Sequence, residues 1–318
     1  MQSVKLLDWF LASDPCIARL AQTRLLDETR PYVRDGWIGA LLDRFDKDTG
    51  LWGNGVYSPK WVSTFYTLRD LISFEVDPAH PDVRLGLDTL VRRMWKPASH
   101  PDQDLCIAAM LLDMLLYARL YEREAHEIAG YLLSHRLPDG GWNCSYQKYE
   151  CPNASIHTTL SVLEALSAFL RLLESGAIGG EGSPQQADAV HEAIFAGREY
   201  LLRRRLMRRV TNGKLILPDI QTFHFPTRWK YDVLRALLYF AESGAVYDKR
   251  MDEAMELLSS KFRRGYLLRG AAYPGREHFR YETTRAGAMN TLRGLIVLKA
   301  YDPDLYRTLL RKIVVLPD

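Results

Sequence analysis

The chain has 318 residues, of which 47% are hydrophobic and 25% charged, a balance typical of a soluble globular protein with ample material for a core. Its formal net charge of +3 is too small to call for nucleic acid or a membrane surface as a partner. No run approaches the roughly 18–20 uncharged apolar residues of a spanning helix, because Asp113 interrupts the most apolar stretch, Leu105 to Tyr117. We therefore expect no transmembrane segment and no nucleic-acid partner, and leave peripheral membrane contact open.

The cysteines and the N-terminus bear on the compartment. Cys16, Cys106, Cys144 and Cys151 show no paired framework, which fits a reducing environment. The stretch MQSVKLLDWFLASDP carries Asp8 inside its apolar part and lacks a small-residue cleavage pattern, so we do not expect a signal peptide. Together these features predict a cytoplasmic protein.

A basic residue followed by a bulky apolar residue recurs where predicted helices end. The pairs are Arg44-Phe45, Arg93-Met94, Arg136-Leu137, Arg205-Leu206, Lys261-Phe262 and Lys312-Ile313. A cation in the last helical turn suits the negative end of the helix dipole. Self-similarity at intervals of about 43 to 69 residues indicates stacked helical hairpins, none of which buries its apolar face alone.

A turn-rich loop and then a second, inner helix follow each of these pairs. The inner helices are predicted to begin near Asp14, Trp61, Asp104, Ser155, Thr227 and Thr284, several of which are good N-caps. The segment 156–173 is apolar nearly all round, which predicts a helix buried on several sides. The segment 185–208 has a narrow apolar stripe, as expected of an outer helix, and the Gly/Ser-rich stretch 175–184 is predicted to be an exposed loop.

Alternating outer and inner helices, about six of each, predict an all-α fold with one domain over residues 1–318. We expect the hairpins to close into an α/α toroid. The last outer helix, about 303–313, would then pack against the first inner helix, about 14–28, and join the two ends of the chain. An open superhelical solenoid has the same period and is the alternative, although the small number of units favours closure.

If the inner helices run in one direction, their N-terminal ends meet at one mouth of the ring. The loops at that mouth are rich in aromatic residues, and helix N-termini are positive, so we predict a ligand-binding pocket there. Its candidate substrate-binding residues are Trp61, Trp142, His224, Arg228, Trp229 and Arg285. The alternative is that these aromatic side chains pack against one another between repeats.

Two short motifs open consecutive inner helices. They are Asp102-Gln103-Asp104-Leu105-Cys106 and Ile156-His157-Thr158-Thr159. With the helical period and the Asp-Gly-Gly-Trp loop at 139–142, the chain resembles the terpenoid cyclase/protein prenyltransferase superfamily. The resemblance covers nearly the whole chain as repeats but only these short stretches as motifs. It implies a toroid with a central apolar cavity for isoprenoids.

In the zinc-dependent protein prenyltransferase β subunits, an Asp-x-Cys and a later His-Thr supply the metal ligands. The resemblance therefore implies that Asp104, Cys106 and His157 bind zinc here. Such a three-ligand zinc would bind a thiol as thiolate and present it to an allylic diphosphate. The sequence departs from that family at Ile107, where an aromatic residue is usual, and in the spacing of the upstream basic residues. Those β subunits also have a helical partner subunit, which nothing in this sequence indicates.

The sequence therefore predicts an isoprenoid-handling enzyme, most concretely a zinc-assisted prenyltransferase acting on a thiol. Asp104, His157 and Asp232 are its candidate catalytic residues. Each also has a simpler interpretation: Asp104 as a helix N-cap, and Asp232 as the partner of Arg228 or Arg285 in an ion pair. Cys144, Cys151 and His157 form a weaker competing metal set.

Other classes of function remain as alternatives. A class II terpenoid cyclase is disfavoured because Leu105 stands where its Asp-x-Asp-Asp motif has the last acid. A carbohydrate-active toroid would use carboxylates drawn from Asp104, Glu164, Asp232 and Glu282. A non-catalytic toroid would bind an apolar ligand or a peptide at the aromatic mouth. The arginine-rich run 198–214 is predicted to be a solvated helix end, the alternative being contact with acidic partners or anionic headgroups.

Overall fold

The computed structural model describes residues 2–96, 103–144, 151–179 and 183–316, and within them the chain is all-α with one small sheet. The helices are α1 (Leu6–Leu11), α2 (Pro15–Leu25), α3 (Trp37–Leu42), α4 (Thr64–Ser73), α5 (Pro81–Met94), α6 (Leu105–Ala118), α7 (Glu122–Ser134), α8 (Ile156–Glu174), α9 (Ser183–Leu202), α10 (Val233–Glu242), α11 (Asp252–Lys261), α12 (Ala288–Tyr301) and α13 (Pro303–Leu310). The strands β1 (Gln2–Lys5) and β2 (Ile313–Leu316) pair antiparallel, with Gln2 opposite Leu316. The prediction of an all-α fold is confirmed.

Two kinds of helix alternate from α5 onward. Helices α6, α8, α10 and α12 bury residues on most of their circumference, because their sequences are apolar nearly all round. Helix α7 instead buries one stripe, formed by Ala125, Ile128, Ala129 and Leu132, and exposes the rest. The prediction that 156–173 is a helix buried on several sides is therefore confirmed in α8.

The strongly buried helices contact one another in a cyclic order. Helix α6 packs on α8, α8 contacts α10, α10 packs on α12, and α12 packs on α2. Helix α4 contacts α6, and α3 contacts both α2 and α4. The closed toroid remains a prediction, which this order supports. The expected contact between the last outer helix and the first inner helix is present, because the Tyr306 hydroxyl donates to the Leu25 carbonyl at 2.6 Å. Helix α2 also packs on α12, and the strand pair joins residues 2–5 to 313–316.

The predicted inner-helix starts lie within a few residues of the observed ones, except for the fifth. Helix α10 begins at Val233 and not near Thr227. Arg228 has a φ of +54°, which interrupts a right-handed helix. The carboxylate of Asp232 accepts the backbone N–H of Arg235 at 2.8 Å, so Asp232 is the N-cap. Residues 227–232 are consequently a loop that reaches the centre of the molecule.

Helix α8 is long and apolar enough to span a membrane by length and composition, with a mean hydropathy of 1.3. However, 67% of that window is buried inside the protein, as expected of a core helix. No other helix in the described ranges passes this test. Within the described ranges, the one candidate span is therefore a helix that packs inside the protein.

Candidate functional site

The strongly buried helices enclose two adjoining cavities, with volumes of about 340 Å³ and 280 Å³. Their walls come from α2, α4, α6, α8, α10 and α12 and from the loop before α10. The residues that line both are Arg69, Ser73, Thr227, Leu238, Glu242 and Arg293. We call this space the central cavity. It is lined mainly by the middle and C-terminal parts of the helices, whereas the sequence placed the pocket at their N-terminal ends.

Charged residues are concentrated on the walls of the central cavity. The arginines are Arg24, Arg69, Arg171, Arg228, Arg235 and Arg293, and the acids are Asp70, Glu75, Asp113, Glu164 and Glu242. Apolar side chains such as Leu20, Phe225 and Ile296 line the first cavity beside them. The lining is thus mixed, apolar and charged, whereas the resemblance implied an apolar cavity. Ionised groups in such a place require partners, so the pairing of each arginine decides what the cavity can bind.

One buried ion pair joins the loop before α10 (residues 227–232) to helix α4. Arg228 Nη1 donates to Asp70 Oδ2 at 2.5 Å, and the two side chains are only 3% and 8% exposed. The hydroxyl of Tyr281 donates to the same Asp70 oxygen at 2.8 Å. The guanidinium carbon of Arg228 also lies 5.2 Å from the centre of the Trp61 ring. The charges of Asp70 and Arg228 are thus matched within the protein and are not available to a ligand.

Arg235 is likewise saturated. Its Nε and Nη2 donate to the two carboxylate oxygens of Glu164 at 2.9 and 2.5 Å. Nη1 donates to the carbonyl of Lys230 at 2.9 Å, and Nη2 also reaches the hydroxyl of Ser161 at 3.1 Å. A bidentate arginine–carboxylate pair is strong and directional. This pair therefore ties α10 to α8 and leaves neither group free.

Unlike the exposed Arg171, Arg69 and Arg293 are largely enclosed in the central cavity, and neither is hydrogen-bonded to a carboxylate among the described residues. Arg293 donates to the His224 carbonyl at 3.3 Å and to Asn290 Oδ1 at 3.2 Å, and among the described residues no carboxylate lies within 4.0 Å of it. Arg69 is 3.8 Å from Asp113 and makes no hydrogen bond to any described residue. Burial lowers the pKa of both guanidinium groups. Both retain hydrogen-bond donors that a bound anion would satisfy.

These two arginines share a short local sequence. The tripeptide Thr-Leu-Arg ends at Arg69 in α4 and again at Arg293 in α12. Sequence analysis missed both because it searched the loops and the helix starts, whereas these side chains lie inside helices. The available indication was a charge inside a helix that is otherwise apolar on most sides, which is unusual unless the charge faces a cavity or a partner.

The three predicted zinc ligands do not form a metal-binding group in the described part of the chain. No set of three or more His, Cys, Asp and Glu side chains there could hold a metal ion. The Cys106 backbone N–H donates to Cys144 Sγ at 3.0 Å, and the hydrogen bond between the two thiols raises the pKa of Cys106 and lowers that of Cys144. Asp102 of the first motif lies outside the described residues. The geometry does not support Asp104, Cys106 and His157 as a metal centre.

His157 is committed to local contacts. Its Nδ1 accepts the backbone N–H of Tyr231 at 2.8 Å, and its ring centre lies 5.4 Å from that of Trp229. Burial lowers the pKa of His157 to about 4, so the imidazole is neutral at pH 7. This arrangement joins the start of α8 to the loop before α10. The catalytic roles that the sequence suggests for His157 and Asp104 remain predictions.

Asp232 is a structural carboxylate. It is buried, and it accepts the backbone N–H of His224 at 3.3 Å as well as that of Arg235. Burial raises the pKa of Asp232. The predicted ion pair with Arg228 or Arg285 is wrong, because Arg228 is bonded to another aspartate, whereas Arg285 is exposed and lines a different cavity.

Trp142 is a core residue and not a ligand contact, which corrects its assignment to substrate binding. Its side chain is 0% exposed, and its Nε1 donates to the carbonyl of Leu132 at 2.7 Å. A Cβ on Gly197 would lie 3.0 Å from the Trp142 ring, so a glycine in α9 makes room for it. Trp52 occupies the same position two hairpins earlier, with Nε1 donating to Leu41 at 2.7 Å. The tryptophan after an outer helix is therefore a packing element of the repeat.

The other aromatic residues of the predicted mouth pack against one another. Trp61 lies edge-on to Tyr66 with ring centres 4.7 Å apart, and its Nε1 donates to the Pro274 carbonyl at 3.1 Å. His224 stacks at 4.5 Å on Tyr273. Trp229 lies between two lysine ammonium groups, each 5.8 Å from its ring centre. The structure brings Trp61, Arg228 and Trp229 together but encloses them in protein contacts, as the packing alternative predicts.

Comparison of the chain with protein-family models and with curated proteins finds no match. The superfamily resemblance therefore remains a prediction, and the proposals below depend on the geometry of the described residues.

Proposed function

We propose that the protein binds a small amphipathic anion in the central cavity. Arg69 and Arg293 would hold the anionic group, and the apolar part would lie against Leu20, Leu292 and Ile296. The proposal rests on the guanidinium groups of Arg69 and Arg293. Both line the two cavities, and neither is hydrogen-bonded to a carboxylate among the described residues.

The energetics of burial support an anionic ligand. A guanidinium removed from water is unfavourable unless a counter-charge and hydrogen-bond acceptors replace the lost hydration. Arg228 and Arg235 obtain these from Asp70 and Glu164, but Arg293 bonds only to a carbonyl and an amide oxygen. A phosphate or carboxylate would complete its coordination with charge-assisted hydrogen bonds.

An isoprenoid diphosphate is the ligand class that we favour. The first cavity, at about 340 Å³, lies within the usual range of small-molecule pockets, roughly 300–1,000 Å³. Its wall combines guanidinium groups with aliphatic and aromatic side chains, which matches a molecule with a charged head and an apolar chain. The sequence resemblance points to the same class. In the reaction expected from that resemblance, this chain would bind and orient the diphosphate, and we derive no step through a metal. A cytoplasmic location is part of the proposal.

The carbohydrate alternative receives less support. Glu164 is held by both oxygens in its pair with Arg235. The carboxylates of Asp232 and Glu282 accept backbone N–H groups at the starts of α10 and α12. Glycoside hydrolysis needs two carboxyl groups that face each other across a gap of roughly 5–10 Å and act on substrate. These residues are instead engaged in the protein's own structure.

Calorimetric titration with geranyl and farnesyl diphosphate tests the proposal. We expect a site whose affinity falls at least tenfold in Arg293→Gln and in Arg69→Gln, because a hydrogen bond to a charged group contributes roughly 1.5–3 kcal/mol. Arg24→Gln is the matched control, since Arg24 lines the same cavity but is bonded to Glu75 and Glu242; its affinity should stay within threefold of the wild type. No binding, or equal losses in all three variants, would overturn the proposal.

A further inference from the structure

A second cavity, outside the centre, is surrounded by cations. It has a volume of about 630 Å³ and lies where the loop between α11 and α12 meets Thr222 and Phe223 of the segment between α9 and α10. Its basic lining residues are Lys261, Arg263, Arg264, Arg269 and Arg285, and no aspartate or glutamate lines it. It shares no lining residue with the central cavity. We call it the basic cavity.

The cations of the basic cavity are not neutralised by the protein. Among the described residues, no carboxylate lies within 4.0 Å of any of the five. Arg269 donates through Nη1 to the Glu282 carbonyl, and its Nε is buried without a hydrogen-bond partner. The ammonium group of Lys261 lies 5.1 Å from the ring centre of Phe223, and burial lowers the pKa of this lysine. The site thus combines several positive charges with an unused donor.

The lining of the basic cavity differs from that of another basic cluster. Arg208 is bonded to Glu253, and Arg250 is bonded to both Glu199 and Asp248. The cavity around Arg208 accordingly includes a glutamate in its lining, whereas no acid lines the basic cavity.

The frame that holds these cations is tightly built. The backbone N–H of Arg269 donates to the Arg285 carbonyl at 3.0 Å, and that of Gly287 donates to the Leu267 carbonyl at 2.9 Å. A Cβ on Gly270 would lie 2.2 Å from the Phe223 carbonyl oxygen, so only glycine allows these backbones to approach. Three segments are thus held together around the cavity, and the backbone that carries Arg269 and Arg285 is in place before any ligand arrives.

We propose that the basic cavity binds a phosphate-bearing ligand, at a site separate from the central cavity. Phosphate groups carry more than one charge and several acceptor oxygens, which arginine forks bind bidentately. A single carboxylate would leave most of the five cations unmatched. The phosphate belongs either to a soluble phosphorylated molecule or to a lipid headgroup, and the neighbouring Leu268, which is 51% exposed, would contact the apolar part of either.

Calorimetry with inorganic diphosphate tests the site itself. We expect at least a tenfold loss of affinity in the double variant Arg263→Ala/Arg264→Ala, whose side chains are exposed and whose fold is checked by circular dichroism. The matched control is Arg205→Ala/Arg209→Ala, which removes the same charge from another exposed basic segment and should bind within threefold of the wild type. Because the central cavity also holds a diphosphate head in our proposal, the titration is repeated in the Arg69→Gln/Arg293→Gln background, where the diphosphate that remains bound occupies the basic cavity. Failure of the central-cavity proposal and failure of this one are thereby distinguishable.

Co-sedimentation with vesicles identifies the source of the phosphate. Vesicles of phosphatidylcholine with phosphatidylglycerol are compared with vesicles of phosphatidylcholine alone. Retention on the anionic vesicles that the Arg263→Ala/Arg264→Ala variant loses supports a lipid headgroup. Binding of free diphosphate without vesicle retention supports a soluble ligand. The proposal is overturned if the wild type binds neither probe, or if the two double variants lose affinity equally, because net charge alone would then explain the binding.

Discussion

The central cavity and the basic cavity both collect arginines, but they balance the charge differently. In the central cavity, the carboxylates of Asp70 and Glu164 balance the charges of Arg228 and Arg235. The guanidinium groups that remain for a ligand are those of Arg69 and Arg293. In the basic cavity no acid lines the wall at all. The first arrangement suits one anionic group with an apolar tail. The second suits a multiply charged head, and its binding should weaken more with salt, because exposed charges are screened over roughly 10 Å at 0.1 M ionic strength.

Breaking the buried pair should have the largest effect on stability. In Asp70→Ala the Arg228 guanidinium, whose side chain is only 3% exposed, loses its counter-charge, and such a loss lowers the free energy of unfolding by about 3–5 kcal/mol. Chemical denaturation measures it. The control is Asp43→Ala, which breaks an exposed pair with Arg34 and should change stability by less than about 1 kcal/mol. Similar effects at the two positions would contradict the central role assigned to this pair.

A second comparison separates matched from unmatched arginines inside the central cavity. Arg235→Met removes one partner of a bidentate pair, and we expect the free energy of unfolding to fall by about 3 kcal/mol. Arg293→Met removes a guanidinium that has no close carboxylate, so stability should stay unchanged or rise by about 1 kcal/mol, while affinity for the proposed anion falls. Denaturation curves of both variants beside the titrations decide this. A large loss of stability in Arg293→Met would mean that Arg293 serves the fold and not a ligand.

The smallest expected effect concerns Glu282, whose backbone carbonyl accepts a hydrogen bond from Arg269 of the basic cavity. Burial raises the pKa of its carboxylate to about 7, above its value in the unfolded chain, and its Oε2 is buried without a partner. The folded state therefore favours the protonated acid, and stability from this group is lost progressively as the pH rises from the ordinary glutamate pKa of 4.5 to about 7. Glu282→Gln, which keeps the acceptor for the Met289 N–H, should be about 1–2 kcal/mol more stable than the wild type at pH 8 and about equal to it at pH 4, below the ordinary pKa. An identical difference at both pH values would refute this.

The parts of the candidate site that sequence analysis missed share a physical reason. The motif search favoured loops and helix starts, where short sequence patterns are recognisable, and it selected Trp61, Trp142 and His157. Packing and capping account for most of those choices in the structure. Arg69 and Arg293 lie in helix interiors, and the sequence alone does not show whether a charge there faces solvent, an ion-pair partner or a cavity.

The sequence by itself determined that the chain is helical, that hairpins repeat, and that α8 is a core helix, because these properties follow from the spacing of apolar residues along one segment. It also placed Asp104 and Ser155 at the N-cap positions of α6 and α8, but not the cap of α10, which is Asp232 and not Thr227. Only the tertiary structure decided which charges meet. Asp70 and Arg228 are 158 positions apart, and their bond depends on distances between helices that no local pattern encodes. The same holds for the two cavities, since each exists only where separate segments leave space between them.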